Sequence, residues 1–491
     1  MSDELESRLA GLREAGLTDA DAVQLEALKA AAGAGGFQHR RTGVPVLPAA
    51  VAVVMFVAAA AALGLGLGKL QQASAGPHPV APSIPVKVAP SPGPTPTPQP
   101  APSPLVPLVS GDRIPFSNVT MVSPSAGWTY LTRQAYGEGP ALFEGYVLHT
   151  NDGGLTWADV TPSGIRAAFI NKGFFLDAAH GWVVVDDPIV SGRLTATVWR
   201  TADGGVTWKS SGPVGDPLFA RGPGITFLDA QHGWMSAPSE PASQDTQQGI
   251  EVDTTSDGGA TWKRMVVSAF DQGSGPLVRT PIPFACGKAG SAFRDTRTGW
   301  VTGGCLGGIT FYRTDDGGST WHQQAFRGPS GAAVGANDCS AGPCALTPPV
   351  FTSVLDATMT FSYYGVDTSR AALYATHDGG ATWTSHPLPG VGFFGTGPSF
   401  LRAGEGWAGI LAQGPGAPSP GIRVFRTTDG GVTWGPLADV PGYDSAEFDF
   451  VNPSVGFGVF DESRAPMGVI ANLFMTLDGG QTWRRVDARY R

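Results

Sequence analysis

From about residue 116 onward, apolar residues come in short bursts of strand length, broken by clusters of glycine, aspartate and serine. Bursts of this length bounded by turn residues predict β-strands; a helix would need apolar positions every three or four residues over longer stretches. Two phrases punctuate the bursts. The first reads HTNDGGLTW, RTADGGVTW, TTSDGGATW, RTDDGGSTW, ATHDGGATW, RTTDGGVTW and MTLDGGQTW. Its aspartates are Asp152, Asp203, Asp257, Asp316, Asp378, Asp429 and Asp478, and its closing tryptophans Trp157, Trp208, Trp262, Trp321, Trp383, Trp434 and Trp483. The second phrase precedes each copy and reads MVSPSAGW, FLDAAHGW, FLDAQHGW, FRDTRTGW or FLRAGEGW. It becomes FVNPSVGF in the seventh repeat and VLDATMTF in the fifth, with Thr360 in the place of the glycine. Of the tryptophans only Trp199 lies outside both phrases, so tryptophan use follows the repeat rather than a ligand site.

Each phrase reads as a tight turn. A polar side chain able to hydrogen-bond nearby backbone meets a glycine free to take positive φ, and the following aromatic enters the next strand and the core. The threonines at 150, 201, 255, 314, 376, 427 and 476 are expected to cap the strand before the first phrase. Every repeat then supplies four short strands. Seven four-stranded antiparallel sheets in series predict an all-β fold, a seven-bladed β-propeller over residues 109–491. Two closures fit the copies: contiguous blades alone, or an added strand from residues 105–115 that staples the ring.

The chain before the repeats has a different pattern. In residues 1–41, Leu5, Leu9 and Leu12 share one helical face, and DADAVQLEALKAAAG suggests a second short helix. An uncharged run from Thr42 to Gly68 follows, long enough for a bilayer span, which takes roughly 20 apolar residues. His39, Arg40 and Arg41 precede it and Lys69 alone follows directly. That bias predicts a single-pass signal-anchor helix at 42–68, with a short cytoplasmic N-terminus and an extracytoplasmic propeller. Ala73-Ser74-Ala75 resembles a cleavage site, but the long lead and the long apolar run disfavour cleavage at Ala75. Residues 69–108 read as a Pro-rich stalk tending to polyproline II, about 3 Å per residue.

Composition and charge narrow the functions. Charged residues are 15%, with 69 Gly and 42 Pro, which suits strands and turns. The net charge of −9 sets an overall field that opposes nucleic acid and anionic lipid, which leaves room only for a local basic patch, and no long Lys/Arg run is present; nucleic acid binding is not expected. No G-x-S-x-G, phosphate loop or H-E-x-x-H is present, and no cofactor or metal is expected. Residues 390–395 fit G-x-G-x-x-G but fall in a blade connection with no helix pattern after them. His180 and His232 occupy equivalent turn positions, and Arg200, Arg313 and Arg426 recur at one position of the repeat; both sets read as structural. Asp315 reads as an extra solvated acid beside Asp316.

The first phrase looks like the Asp-box, or BNR repeat, of sialidases and their propeller relatives. Seven copies with the preceding Gly-Trp turn most resemble the photosystem II stability/assembly factor-like propellers. The resemblance covers residues 110–491 and implies a propeller with the box as a structural turn at the blade rim. Topology then sorts the surface. First-to-second and third-to-fourth turns share one face, which both phrases occupy; second-to-third loops and blade connections share the other, where the sequence varies. The candidate ligand-binding segments are loops within residues 263–292, 322–353, 235–250 and 408–421, because variable loops on a rigid scaffold usually carry binding. Cys286, Cys305, Cys339 and Cys344 fall towards that face. An even count outside the membrane favours two disulfides. Three pairings exist; Cys286–Cys305 with Cys339–Cys344 is preferred.

The leading expectation is a non-catalytic binding or assembly scaffold for a protein or glycan partner at the outer face of the membrane. One alternative is a sialidase-type surface glycoside hydrolase. Arg113-Ile114-Pro115 resembles the Arg-Ile-Pro ahead of the first Asp-box of sialidases, which would make Arg113 the grip on a substrate carboxylate. The seven-fold count departs from the six-bladed sialidase fold, and the other sialidase catalytic residues have no assigned positions here. The second alternative is a propeller sensor that signals through residues 1–41.

Overall fold

The computed structural model describes residues 107–135, 142–187, 195–214, 224–238, 248–271, 275–278, 281–284, 286–305, 308–329, 339, 344–364, 369–389, 397–411, 421–443, 445–462 and 470–491. Segment 1–41, the apolar run 42–68, Ala75, the stalk up to residue 106 and residues 390–395 lie outside them. Among the described residues no helix is long and apolar enough to cross a membrane.

Each repeat folds into its own antiparallel sheet of consecutive strands, and the seven sheets form a seven-bladed β-propeller. Blade 2 shows the pattern, from its innermost strand Ile170–Phe175 through Gly181–Asp186 and Ala196–Thr201 to its outer strand Lys209–Val214. Three blades depart from four strands. Blade 3 adds Gly275–Val278 outside Lys263–Asp271. Blade 5 splits its innermost strand into Ala345–Leu346 and Val350–Phe351, both paired with Ala357–Tyr364. Blade 1 gains a strand from the C-terminus, described below.

The Asp-Gly-Gly turn is the same small machine in every blade. In blade 4 the Thr314 hydroxyl donates to Asp316 Oδ1 (2.9 Å) and accepts the Gly318 N–H (2.8 Å). A second threonine, Thr320, donates its N–H to Oδ1 (2.8 Å) and its hydroxyl to Oδ2 (2.6 Å). Gly317 and Gly318 take φ of +76° and +98°, which a side chain would resist. Bonds from the Thr320 hydroxyl and then its amide, made to the ionised form, hold the Asp316 carboxyl at about 2.

The Gly-Trp turn differs from expectation, since its glycines do not take positive φ. The glycine is there for space. Each faces a large side chain of the innermost strand, as in Phe175 opposite Gly181, Phe227 opposite Gly233 and Phe293 opposite Gly299. A Cβ at Gly299 would stand 2.4 Å from two Phe293 ring atoms. The ring lying on the glycine is covered from the other side by the Gly-Trp tryptophan of the preceding blade. Trp182 stacks on Phe227 at 3.8 Å, Trp234 on Phe293 at 4.1 Å and Trp407 on Phe450 at 3.6 Å. These stacks join blade to blade. Arg313 and Arg426 lie over Trp300 and Trp407, and Arg200 and Arg313 also donate to Gly259 and Gly380 carbonyls of the next blade's turn.

Pairing also corrects the fifth copy. Phe351 faces Ala357, and Ala357 faces Thr376 on the third strand, as the glycines face their threonines elsewhere. The fifth phrase is therefore FTSVLDAT, with Ala357 in the glycine's place and Thr358 in the tryptophan's; Thr360 lies three residues farther along the strand.

Closure uses both ends of the described chain. Arg489–Tyr490 pairs in parallel with Thr156–Asp159, the outer strand of blade 1, and Arg113 bridges Arg489 on its other side. Gly111 N–H donates to the Tyr490 carbonyl (2.8 Å) and Tyr490 N–H to that of Asp112 (2.9 Å). The blades are contiguous, and the added strand comes from the C-terminus instead of from residues 105–115. Ile114, Phe116, Val486 and Ala488 are buried together between blades 7 and 1.

Candidate functional site

In a four-stranded blade, second-to-third loops and blade connections leave from the face opposite the two repeated turns. On that face, around blade 4, four segments are tied together. Cys286 is bonded to Cys305, joining the entry of the innermost strand Gly287–Phe293 to the end of Gly299–Cys305. Cys339 is bonded to Cys344 within the connection to blade 5. The two bridges touch through backbone, since Cys344 N–H donates to the Cys305 carbonyl (3.1 Å). From blade 3, Gln248 N–H donates to the Cys286 carbonyl (3.2 Å).

A lysine closes the cluster. Lys288 donates its N–H to Gln248 Oε1 (3.1 Å) and its Nζ to the carbonyls of Gln248 (2.8 Å) and Cys286 (3.1 Å). Burial pushes this ammonium down to about 8. Cys286 has the one positive φ found among the described non-glycine residues, +56°. Cys339 and Cys344 are buried against Leu346, Phe361 and Tyr374, and the Tyr374 hydroxyl holds the Arg327 carbonyl (2.7 Å). The ends of the blade 3, 4 and 5 loops are thus fixed to a covalently braced platform.

The predicted segments divide accordingly. Within 263–292, strands Lys263–Asp271 and Gly275–Val278 belong to the outer edge of blade 3, so that candidate loop shrinks to residues near Cys286. Within 322–353, Phe326 packs on Phe361 and Tyr374. Residues 330–338, and 239–247 and 412–420 within 235–250 and 408–421, lie outside the described residues.

Arg113 bridges Arg489 of the C-terminal strand. Its exposed side chain faces Asp487 (3.4 Å) at the outer edge of blade 1, beside the C-terminal strand. Asp315 is held by the guanidinium of Arg313 (2.7 Å). His180 and His232 bond Asp177 and Asp229 of their own turns.

One polar group was missed from sequence. The third residue before the innermost strand's large side chain is glycine or proline in blades 3 to 6, at Gly224, Gly290, Pro348 and Gly397. In blades 7, 1 and 2 it is Glu447, Asn118 and Lys172. Burial pushes Glu447 up to about 7 against the attraction of Lys172. Burial pushes Lys172 down to about 8 while Glu447 opposes. Only counting back from Phe450 and Phe175 would have found this pair. Among the described residues no group of three His, Cys, Asp or Glu side chains is arranged to hold a metal ion.

No protein-family model matches the chain, and no curated protein matches it. Among solved structures it is similar to YCF48 bound to a D1 peptide, at 18% identity over 65% of this chain and 80% of that one, TM-score 0.35. It is also similar to a xyloglucanase from Xanthomonas campestris, at 14% identity over 70% and 53% of the two chains, TM-score 0.24. An ulvan lyase is 8% identical over 77% and 95%, TM-score 0.38. Likenesses this distant carry nothing about activity.

Proposed function

We propose that this chain is a non-catalytic binding or assembly scaffold for a protein or glycan partner, a membrane-anchored extracytoplasmic propeller of the BNR/Asp-box, photosystem II assembly factor-like kind. The apolar run Thr42 to Gly68, with His39-Arg40-Arg41 before it, supports the anchor and its orientation. The Asp-box form of all seven turns supports the family reading. The observation that carries binding is the braced platform, in which Gln248, Cys286, Cys305 and Cys344 bring the loops of three blades to one rigid base. Fixing loop ends in advance lowers the ordering cost of binding, as preorganisation requires. The hydrolase reading has less support, since its one named residue, Arg113, lies beside Asp487 (3.4 Å) next to the C-terminal strand.

Photo-crosslinking of the full chain in its native membrane tests this reading. A photoreactive residue replacing Gln248 is expected to capture one discrete partner, and to lose it when the disulfides are reduced. The same residue replacing exposed Val206, on the turn face, is expected to capture nothing comparable. Equal capture from both positions, or capture indifferent to reduction, would overturn the assignment.

A further inference from the structure

The segment Arg484 to Arg491, RRVDARYR, carries four arginines and one aspartate on a chain of net charge −9. Val486 and Ala488 are each 5% exposed, sunk into the seam between blades 7 and 1. Successive side chains of an extended segment point to opposite sides. Burying Val486 and Ala488, with Tyr490 half-buried, therefore turns Arg485, Asp487, Arg489 and Arg491 to the rim. Alternate residues stand about 6.5–7 Å apart, so the row is closely spaced. Arg113 extends it sideways through its bridge to Arg489. Two carboxylates lie beside the row: Asp487, shared between Arg113 (3.4 Å) and Arg489 (2.5 Å), and Asp112, which accepts the Val109 N–H (2.9 Å). Arg484, Arg485 and Arg491 are exposed and make no ion pair among the described residues.

The same rim is where the chain leaves for the stalk. Leu108 N–H donates to the Tyr146 hydroxyl (2.9 Å), and the Tyr146 ring meets Tyr490 edge-on at 6.0 Å. We propose that the row formed by Arg485, Arg489, Arg491 and Arg113, with exposed Arg484 beside it on the opposite side of the strand, docks the rim of blades 7 and 1 on anionic phospholipid headgroups of the membrane that holds the stalk. This rests on the anchoring reading above. Guanidinium groups suit phosphate esters, which they bind in a forked geometry. The exposed positions of the segment are all charged, so there is no central apolar anchor of the kind a protein interface uses. A tether makes the docking intramolecular, so weak individual contacts suffice.

The test uses the full chain in phosphatidylcholine nanodiscs, mixed with vesicles of either phosphatidylcholine or a phosphatidylcholine–phosphatidylglycerol mixture. Discs are expected to float with the anionic vesicles only, and to be released by about 0.5 M NaCl, where charges are screened within a few ångströms. Each arginine near an anionic surface contributes on the order of 1 kcal/mol, so Arg484→Gln/Arg485→Gln/Arg491→Gln should weaken co-flotation about 100-fold. Lys209→Gln/Lys263→Gln/Arg297→Gln removes the same charge elsewhere and is expected to leave it unchanged. Equal flotation with neutral vesicles, or equal loss in both triple variants, overturns the docking surface while the anchor stands. A chain not retained in the discs refutes the anchor instead, and its direct flotation on anionic vesicles then decides the arginine row alone.

Discussion

One methyl group separates a tight contact between blades from a loose one. Where glycine lies under the ring, the tryptophan and phenylalanine planes of Trp234 and Phe293 are 7° apart at 4.1 Å. Where Ala357 lies under Phe351, the ring tilts 31° from Trp300 and stands 5.3 Å away. Gly299→Ala imposes the second geometry on a site built for the first, because its Cβ would fall 2.4 Å from Phe293. The variant is expected to lose about 1–3 kcal/mol, the usual cost of overpacking. Urea unfolding measures it, and a loss below about 0.5 kcal/mol would mean that Phe293 has room to slide. The glycine itself was plain in the text of the repeat, but its reason was not, since the ring it accommodates belongs to a cross-strand contact capped by another blade. The fifth copy was misregistered for a related cause. Val354-Leu355 imitates the Phe-Leu of other copies, whereas an aromatic six residues before a small residue, Phe351 and Ala357, is the pattern the packing requires.

At the scale of strands, the ring is held shut by an element of two residues. Arg489–Tyr490 lines the outer edge of blade 1, the Tyr490 hydroxyl donates to Asp159 Oδ2 (2.7 Å), and Arg166 pairs with the same carboxylate. Burial of Ala488 and Tyr490 is worth roughly 3 kcal/mol by area. Removing residues 487–491 is therefore expected to raise hydrogen exchange first in blades 7 and 1, with blade 4 protected until global unfolding. Tyr490→Phe removes only the hydroxyl bond, at about 1 kcal/mol. Exchange that rises evenly around the ring would show that the seam is not the weak point. A two-residue strand has no periodicity to read, so the closing partner was out of reach from sequence. The four cysteines were legible because their blade and strand positions, once the period was known, put them on one face. The shortening of the 263–292 candidate was not legible, because Gly275–Val278 pairs at an outer edge that no repeat phrase marks.

Across the whole molecule, two sets of carboxyl groups oppose each other in pH. The turn carboxylates Asp257, Asp316, Asp378 and Asp429 sit at about 2, against 3.8 for the unfolded chain. Their stability is fully present above pH 3.8 and is lost as pH falls towards 2. Glu447 on the innermost strand of blade 7 is raised to about 7 by burial, and Glu251 is raised by burial and by the neighbouring Asp253 despite Arg264 (2.7 Å). These two hold protons in the folded state that the unfolded chain releases near 4.5, so their contribution is full below pH 4.5 and declines as pH rises, through about 7 for Glu447 and on past neutrality for Glu251. Stability should therefore peak near pH 4–5 and fall towards neutrality, by on the order of 2 kcal/mol for half-buried Glu447 once solvent screening is allowed for. Thermal midpoints of the full chain from pH 2 to 7 read the peak directly. Glu447→Gln removes the titrating group without removing its shape, and is expected to make the limb between pH 5 and 7 shallower by that group's share, leaving the slope due to Glu251 and the acid limb intact. A wild-type midpoint that climbs steadily to pH 7 would mean that Glu447 is ionised in the folded ring and that Lys172, not burial, governs it.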